Sequence, residues 1–313
     1  MSPARPGMAD PPMPDVPGVT HREVDLGDVR IHVAEAGDGP PLLLLHGWPQ
    51  HWWSWRLLMP VLAETHRVIA PDLRGWGWSS APPGDYAKAA FARDVIALLD
   101  AEGLDRLQII GHDWGGYTGF LVALEHPERV DRLVALDIAP PWPGRPRLRH
   151  LALPAFASYQ VLVGTPGLGP RTMTSGTRFV RTIIRAGSGP DALWTDEELD
   201  VYAEVLRRPA RAEASSACYR TFLTREAPAT LRRGDRSDEL HVPTLLLMGG
   251  ASALRRVIDP QPSRNVLVQT IPRAGHFLPE EAPTQVLEHA VPFLAGGRPT
   301  GAVPARTRSQ TRG

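Results

Sequence analysis

The sequence predicts an α/β fold, a mostly parallel sheet with helices on both faces and an inserted helical cap, and three observations carry that expectation. Short apolar runs alternate with segments of helical periodicity. Several runs are apolar throughout rather than at every second position, as strands covered on both faces require. The alternation lapses between residues 141 and 240 and resumes afterwards.

Taken in order, Val24 to Val33 shows short alternating stretches around Gly27-Asp28, the pattern of a hairpin. Pro41 to Leu45 is the first fully apolar run and ends at His46-Gly47-Trp48-Pro49. Val68 to Ala70 is a second short strand, stopped by Pro71, which has no N–H to give a ladder. Helical spacing covers Phe91 to Leu99, a buried strand spans Leu107 to Ile110 and runs into Gly111, and helical spacing returns from Tyr117 to Glu125. Arg132 to Ile138 is another strand, closed by Pro140 and Pro141. The interval 141–240 lacks strand-like runs but holds helical segments, among them Thr195 to Leu206 and Ala212 to Leu223. Strands resume at Val242 to Met248 and Val266 to Ile271, and Ala282 to Leu294 is an amphipathic helix. The expected organisation is a core in two parts, residues 23–140 and 241–296, split by a helical cap at 141–240. Residues 1–22 and 297–313 are rich in residues that cannot build a packed core and are expected to be disordered tails.

Composition narrows the function. The 313 residues suffice for a full α/β core. Lys and Arg number 34 against 34 for Asp and Glu, so no net charge draws the chain to nucleic acid or an anionic membrane. The expected partner is a neutral small molecule. Cys218 is the sole cysteine, which excludes an internal disulfide or a cysteine metal cluster and favours a reducing compartment. No stretch approaches the ~18 apolar residues of a membrane helix, and Met1 to Thr20 lacks the apolar run of a secretory signal. A cytoplasmic location is therefore expected. No metal or organic cofactor is implied, because metal-ligand and phosphate-cradling spacings are missing. Lys88, the only lysine, receives no role, and oligomeric state is not legible.

The chemistry centres on Gly111-His112-Asp113-Trp114-Gly115, which follows a buried strand and precedes a helix. A sharp strand-to-helix turn needs small residues around its centre, because the central residue is strained and its neighbours pass close by. Serine is the usual nucleophile of such a turn, but Asp113 fills the slot here. A carboxylate that displaces at a saturated carbon leaves an alkyl-enzyme ester, which suits epoxides and alkyl halides and not ordinary ester or peptide hydrolysis. The structural alternative is an aspartate capping the next helix.

Gly111-His112-Asp113-Trp114-Gly115-Gly116, His46-Gly47-Trp48-Pro49 and Asp72-Leu73-Arg74-Gly75-Trp76-Gly77 together resemble the epoxide hydrolase and haloalkane dehalogenase branch of the α/β-hydrolase family, over about residues 23 to 296. The resemblance implies an oxyanion hole made by the backbone N–H groups of Trp48 and Trp114, the donors that hydrolysis of the ester needs. His46 reads as a structural support of its turn. The resemblance also implies a general base at His276, in Ala274-Gly275-His276-Phe277, just past the last strand.

The orienting acid departs from the commoner pattern. The loop Gly249-Gly250-Ala251-Ser252-Ala253-Leu254, where family members often carry it, has no carboxylate. A subset of dehalogenases carries it at the end of the preceding strand, and Leu136-Asp137-Ile138 puts an aspartate there. A carboxylate after a buried run costs several kcal/mol if unpaired, so Asp137 needs a partner and an imidazole would serve. Asp259 stands as the second candidate.

Two cap tyrosines separate epoxide from halide. An epoxide opens only if its oxygen is hydrogen-bonded or protonated as the C–O bond breaks, whereas a departing halide prefers indole N–H donors. Ser158-Tyr159-Gln160-Val161 and Ala217-Cys218-Tyr219-Arg220 resemble the cap elements in which epoxide hydrolases carry paired tyrosine acids, which implies that role for Tyr159 and Tyr219. Tyr202 reads as packing. Trp52, Trp53, Trp55, Trp76 and Trp78 read as packing residues or as an aromatic wall for an apolar substrate. The expected activity is therefore conversion of a small apolar epoxide and water to a vicinal diol. The alternatives are a haloalkane dehalogenase with the same nucleophile and a catalytically silent binding protein of the same fold. A haloacid substrate would want arginine after the nucleophile, where Trp114 stands.

Overall fold

The computed structural model describes residues 10–142, 153–233 and 236–297. Eight strands form one sheet: β1 (Thr20–Asp25), β2 (Arg30–Ala36), β3 (Pro41–Leu45), β4 (Arg67–Pro71), β5 (Leu107–His112), β6 (Val130–Leu136), β7 (Thr244–Gly249) and β8 (Val266–Ile271). Their spatial order is β1-β2-β4-β3-β5-β6-β7-β8. The β1–β2 and β2–β4 pairs are antiparallel and every later pair is parallel.

The uniformly apolar runs are explained by two cores, one on each face of the sheet. Leu43, Leu45, Ile109, Leu133, Ala135 and Leu246 face one core, and their alternates Leu42, Leu44, Ile110, Val134, Leu136 and Leu245 face the other. Successive side chains of a strand point to opposite faces, so a strand buried on both sides has no position left for a polar residue.

Helices α1 (Met59–Leu62), α2 (Lys88–Ala101) and α3 (Trp114–Glu125) connect the strands up to β6. Between β6 and β7 the described chain is helical: α4 (Leu153–Gly164), α5 (Leu168–Thr174), α6 (Arg178–Gly187), α7 (Asp196–Leu206), α8 (Pro209–Thr221), a π-turn over Phe222–Glu226, and α9 (Ala227–Arg233). Thr195 starts α7 with a capping box, its hydroxyl accepting from Glu198 N–H while Glu198 reaches back to Thr195 N–H. Helices α10 (Ala253–Val257), α11 (Leu278–Glu281) and α12 (Pro283–Leu294) complete the second part of the core. No helix among the described residues is long and apolar enough to cross a membrane.

The expectation of an unpacked start to the chain is corrected for residues 10–22. Strand β1 begins at Thr20, and Val16 upstream is buried. Asp10 pairs with Arg211 of α8, one of its bonds measuring 3.1 Å, and Pro11 carbonyl accepts from Trp78 Nε1 at 3.2 Å. Specific side-chain partners hold this segment where its own composition supplies little apolar surface. Residues 1–9 and 298–313, also expected as tails, lie outside the described residues.

The β5–α3 turn leaves no room for side chains at its glycines. A Cβ on Gly115 would stand 2.0 Å from the Leu45 carbonyl oxygen and 2.5 Å from that of His46. Gly115→Ala is therefore expected to push β3 away from α3 and cost about 2 kcal/mol or more, measured as a lowered midpoint in urea unfolding.

Candidate active site

Strands β3, β5, β6, β7 and β8 end at one edge of the sheet, and Trp48, Asp113, Asp137 and His276 follow β3, β5, β6 and β8 there. Parallel strands put their carboxyl ends side by side, which is where α/β proteins bind ligands. Asp113 occupies the β5–α3 turn with φ 51° and ψ −124°, and Asp137 follows β6 with φ 43°. Positive φ at a non-glycine costs of order 1–3 kcal/mol and persists only where the surroundings impose it. Here the Asp113 N–H donates to Leu136 carbonyl at 3.1 Å and the Asp137 N–H to Leu247 carbonyl at 2.8 Å.

The two oxygens of Asp113 have different surroundings. Oδ1 accepts the Trp48 backbone N–H at 3.0 Å, and the Trp114 backbone N–H adds a smaller electrostatic stabilisation of the ionised carboxylate. Oδ2 lies 3.5 Å from His276 Nε2. Burial alone would raise the Asp113 pKa, but the hydrogen bond and charge of His276, with lesser help from His112 and the Trp114 N–H, hold it below the usual 3.8. The Asp113 side chain makes no capping bond to α3.

His276 Nδ1 donates to Asp137 Oδ2 at 2.7 Å. Asp137 is fully buried and accepts two further bonds, from Gly249 N–H at 2.9 Å and from Ser252 Oγ at 2.6 Å. Asp259 is engaged elsewhere, with Arg255 and Gln261, each at 2.9 Å. Of the two candidate acids, then, Asp137 is the one that meets His276. Sequence reading missed Ser252, although a hydroxyl in the loop without a carboxylate was the available signal.

Two further histidines are structural in their contacts. His112 Nε2 donates to the His276 carbonyl at 2.8 Å, and burial pushes its pKa down to about 3, so it is neutral. His46 Nε2 accepts Leu73 N–H at 3.0 Å, which fixes Nδ1 as the donor to Gly47 carbonyl at 3.0 Å.

Above the carboxylate stands a cluster of rings. Tyr159 and Tyr219 lie 5.9 Å apart between centroids. Trp48 is stacked with Tyr159 at 6.0 Å and edge-on to Tyr219 at 5.1 Å, and Trp114 meets Tyr219 at 5.7 Å and Phe222 at 4.8 Å. Burial raises the Tyr159 pKa to about 12, with the Asp113 charge adding to it, and raises that of Tyr219 well above 10 for the same reason. Both phenols therefore keep their protons in the resting protein. Of the five tryptophans read as packing or as an aromatic wall, Trp52, Trp55 and Trp76 are buried in the two cores and Trp53 and Trp78 pack against them partly buried. The rings in the tyrosine cluster are those of Trp48 and Trp114, singled out from sequence for their backbone N–H groups. Tyr202 is buried and more than packing, since its hydroxyl donates to Glu280 at 2.7 Å.

Chemically, the arrangement presents an ionised carboxylate with one oxygen held by the Trp48 N–H, an imidazole bracketed by two carboxylates, and two neutral phenols nearby. Among the described residues no group of three or more His, Cys, Asp or Glu side chains could hold a metal ion.

Comparison with known proteins gives a consistent setting. The family model described as alpha/beta hydrolase fold matches residues 40–283. The soluble epoxide hydrolase of Corynebacterium sp. (strain C12) is 33% identical over 292 residues, covering 88% of this chain and 98% of that protein. A fluoroacetate dehalogenase from Burkholderia sp is 31% identical, over 90% of this chain and 95% of its own. The solved structure of epoxide hydrolase CorEH without ligand superposes with a TM-score of 0.79 at 29% identity, covering 89% of this chain and 99% of that one.

The imidazole offers a test by pH. Burial would lower the His276 pKa, but the bonds and charges of Asp113 and Asp137 outweigh it and raise it from the usual 6.5 to about 10. A group whose pKa is raised on folding stabilises the fold fully below its unfolded value and loses that contribution as pH climbs to the folded one. Thermal stability is expected to fall between about pH 6.5 and about pH 10, with that component missing in His276→Gln when both are scanned by calorimetry.

Proposed function

The chain belongs to the α/β-hydrolase fold family, on the branch of its epoxide hydrolase relatives, and from that premise we propose that it converts an epoxide to a vicinal diol through an ester formed on Asp113. The observation that carries this reading is the pair of phenols, Tyr159 and Tyr219, in one ring cluster with the residues that flank the carboxylate.

In this mechanism the epoxide lies between the helices that carry Tyr159 and Tyr219, α4 and α8, and the core. Tyr159 and Tyr219 donate hydrogen bonds to its oxygen, and one of them gives up its proton as the C–O bond breaks. Asp113 Oδ2 attacks a ring carbon and becomes the alkylated oxygen of a hydroxyalkyl ester. Oδ1, already bonded to Trp48 N–H, becomes the ester carbonyl. Alkylation removes the negative charge of Asp113, one of the two charges that hold the proton on His276. The His276 proton then passes to the tyrosinate left by the first step, and the neutral imidazole, oriented by Asp137, takes a proton from water as its oxygen attacks the ester carbon. On collapse the departing alkoxide takes the remaining hydroxyl proton, so that Asp113 returns as a carboxylate and His276 as an imidazolium. The Trp48 and Trp114 N–H groups hold the tetrahedral oxyanion until the diol leaves. Rings on Trp48, Trp114, Tyr159, Tyr219 and Phe222 favour an apolar substituent on the substrate.

A second reading has one observation in its favour. The indole nitrogen of Trp48 is buried without a hydrogen-bond partner and that of Trp114 faces the Tyr219 hydroxyl, and indole N–H groups suit a departing halide. Under that reading the same nucleophile would release halide from a haloalkane. Parallel assays of one preparation for diol formation and for halide release separate the two.

Asp113→Ala is expected to lower turnover of styrene oxide by at least about 10³-fold. His276→Gln is expected to stop after the first step and retain a mass increment of one substrate on the peptide containing Asp113. Tyr159→Phe and Tyr219→Phe are each expected to slow ester formation by about 10- to 10²-fold, read by rapid quench and mass spectrometry. Full turnover by Asp113→Ala would remove the basis of the proposal.

A further inference from the structure

Two consecutive carboxylates follow His276 on α11, and the reaction above uses neither. Glu280 accepts the Tyr202 hydroxyl and also binds Gln50 and Arg56. Glu281 has a different set of partners. Its Oε1 accepts the backbone N–H of Phe277 at 2.8 Å, and its Oε2 accepts the backbone N–H groups of Gly275 and Gly189, each at 2.7 Å. Gly275 and Phe277 are the residues on either side of His276, so one side chain grips the chain before and after the imidazole. Gly189 lies beyond α6 in the helical segment, so the same carboxylate ties that segment to the loop.

The backbones at this point are in direct contact. The His276 N–H donates to the Gly187 carbonyl at 2.8 Å. A Cβ on Gly275 would stand 2.2 Å from Gly189 N, and one on Gly189 would stand 2.1 Å from the Arg273 carbonyl oxygen. Such an approach leaves three peptide N–H groups converging on one place, and a carboxylate supplies the charged acceptor that binds them most strongly. With its backbone held on both sides and Nδ1 held by Asp137, the imidazole has little freedom to swing Nε2 away from Asp113. Position at that level matters, since small misplacements of a reacting group cost large factors in rate.

We propose that Glu281 is the positioning residue for His276, and that through Gly189 it makes hydrolysis of the ester depend on the helical segment being seated on the core. The inference rests on the epoxide hydrolase reading and adds to it a device acting on the second step alone. The bonds of Glu281 reach none of Asp113, Trp48, Tyr159 and Tyr219, the groups that form the ester.

The experiment is a single-turnover reaction of Glu281→Gln with styrene oxide, following the ester on Asp113 by mass and the diol by chromatography. Glutamine keeps the shape but presents an NH₂ where an N–H donor must be accepted. Ester formation is expected within about twofold of the unsubstituted protein, while ester hydrolysis slows by about tenfold or more and the ester accumulates. Unchanged hydrolysis would overturn the inference, as would equal loss of both steps with a lowered Tm, the result of a merely structural role. Should Glu281→Gln not fold, Glu281→Asp, which keeps the charge and withdraws it by one methylene, carries the same expectation. His276→Gln serves as the control. An ester there but none accumulating in Glu281→Gln removes only the role of Glu281, whereas no ester in either removes the epoxide hydrolase reading itself.

Discussion

The backbone turn at Asp113 is the constraint on which the remainder of the site depends. A residue with a side chain is held at φ 51°, a conformation that a free peptide avoids, and it is held there by contacts on every side. Its N–H is bonded to the end of β6, its carboxylate to the backbone that leaves β3, and Gly115 behind it lies against the carbonyls of Leu45 and His46. These three attachments all come from neighbours in the sheet order, β3 on one side of β5 and β6 on the other. The cores on both faces of the sheet fix those strands, and so the strain at one residue is balanced by burial over many. The same sheet edge presents Asp137 just past β6, Gly249 at the end of β7, Ser252 beyond it, and His276 from beyond β8. Each group stands within a few residues of a strand end, which suits a reaction that requires preorganised donors and a fixed line of attack.

Charge runs along that line. His276 stands between two carboxylates and is held protonated by both, while Asp113 is held ionised by His276. Buried charges of this kind are tolerated because each is paired and hydrogen-bonded. In the proposed mechanism the pairing is also what sequences the reaction. The carboxylate is anionic when it must attack, and its conversion to a neutral ester weakens the hold on the imidazole proton when a base is needed. The tyrosines run the other way, since burial keeps both protonated until an alkoxide develops beside them.

Much of the fold was legible in the sequence for a simple reason. A strand buried on both faces must be apolar at every position, so Pro41 to Leu45 and Leu107 to Ile110 announce themselves, and proline or glycine ends β4 at Pro71 and β7 at Gly249, although β5 runs on through Gly111 to His112 and β6 stops at Leu136, short of Pro140. The Gly-His-Asp-Trp-Gly turn was legible because a tight turn restricts several neighbouring residues at once. Residues that act by reaching across the fold were not. Ser252 meets Asp137 across 115 positions and Glu281 meets Gly189 across 92, separations at which local pattern carries no information. Each is an ordinary polar residue in its own stretch of chain. The segment around Asp10 was misread for a related cause, because its order comes from Arg211, two hundred positions away, and not from its own composition. Choosing Asp137 over Asp259 likewise required the distance to His276, although the need of a buried carboxylate for a partner already favoured the residue at the end of the apolar strand.

The central claim is that Asp113 Oδ2, and not water, forms the new bond to carbon. A single turnover of a labelled-free epoxide in H₂¹⁸O, with enzyme in excess, tests it directly. Attack by Asp113 requires the first diol to carry the former Oδ2 of the enzyme, so the diol is unlabelled and the ¹⁸O is recovered in the peptide that contains Asp113. A first-turnover diol bearing ¹⁸O, with Asp113 unlabelled, would mean that water attacks the epoxide itself and would contradict the covalent route.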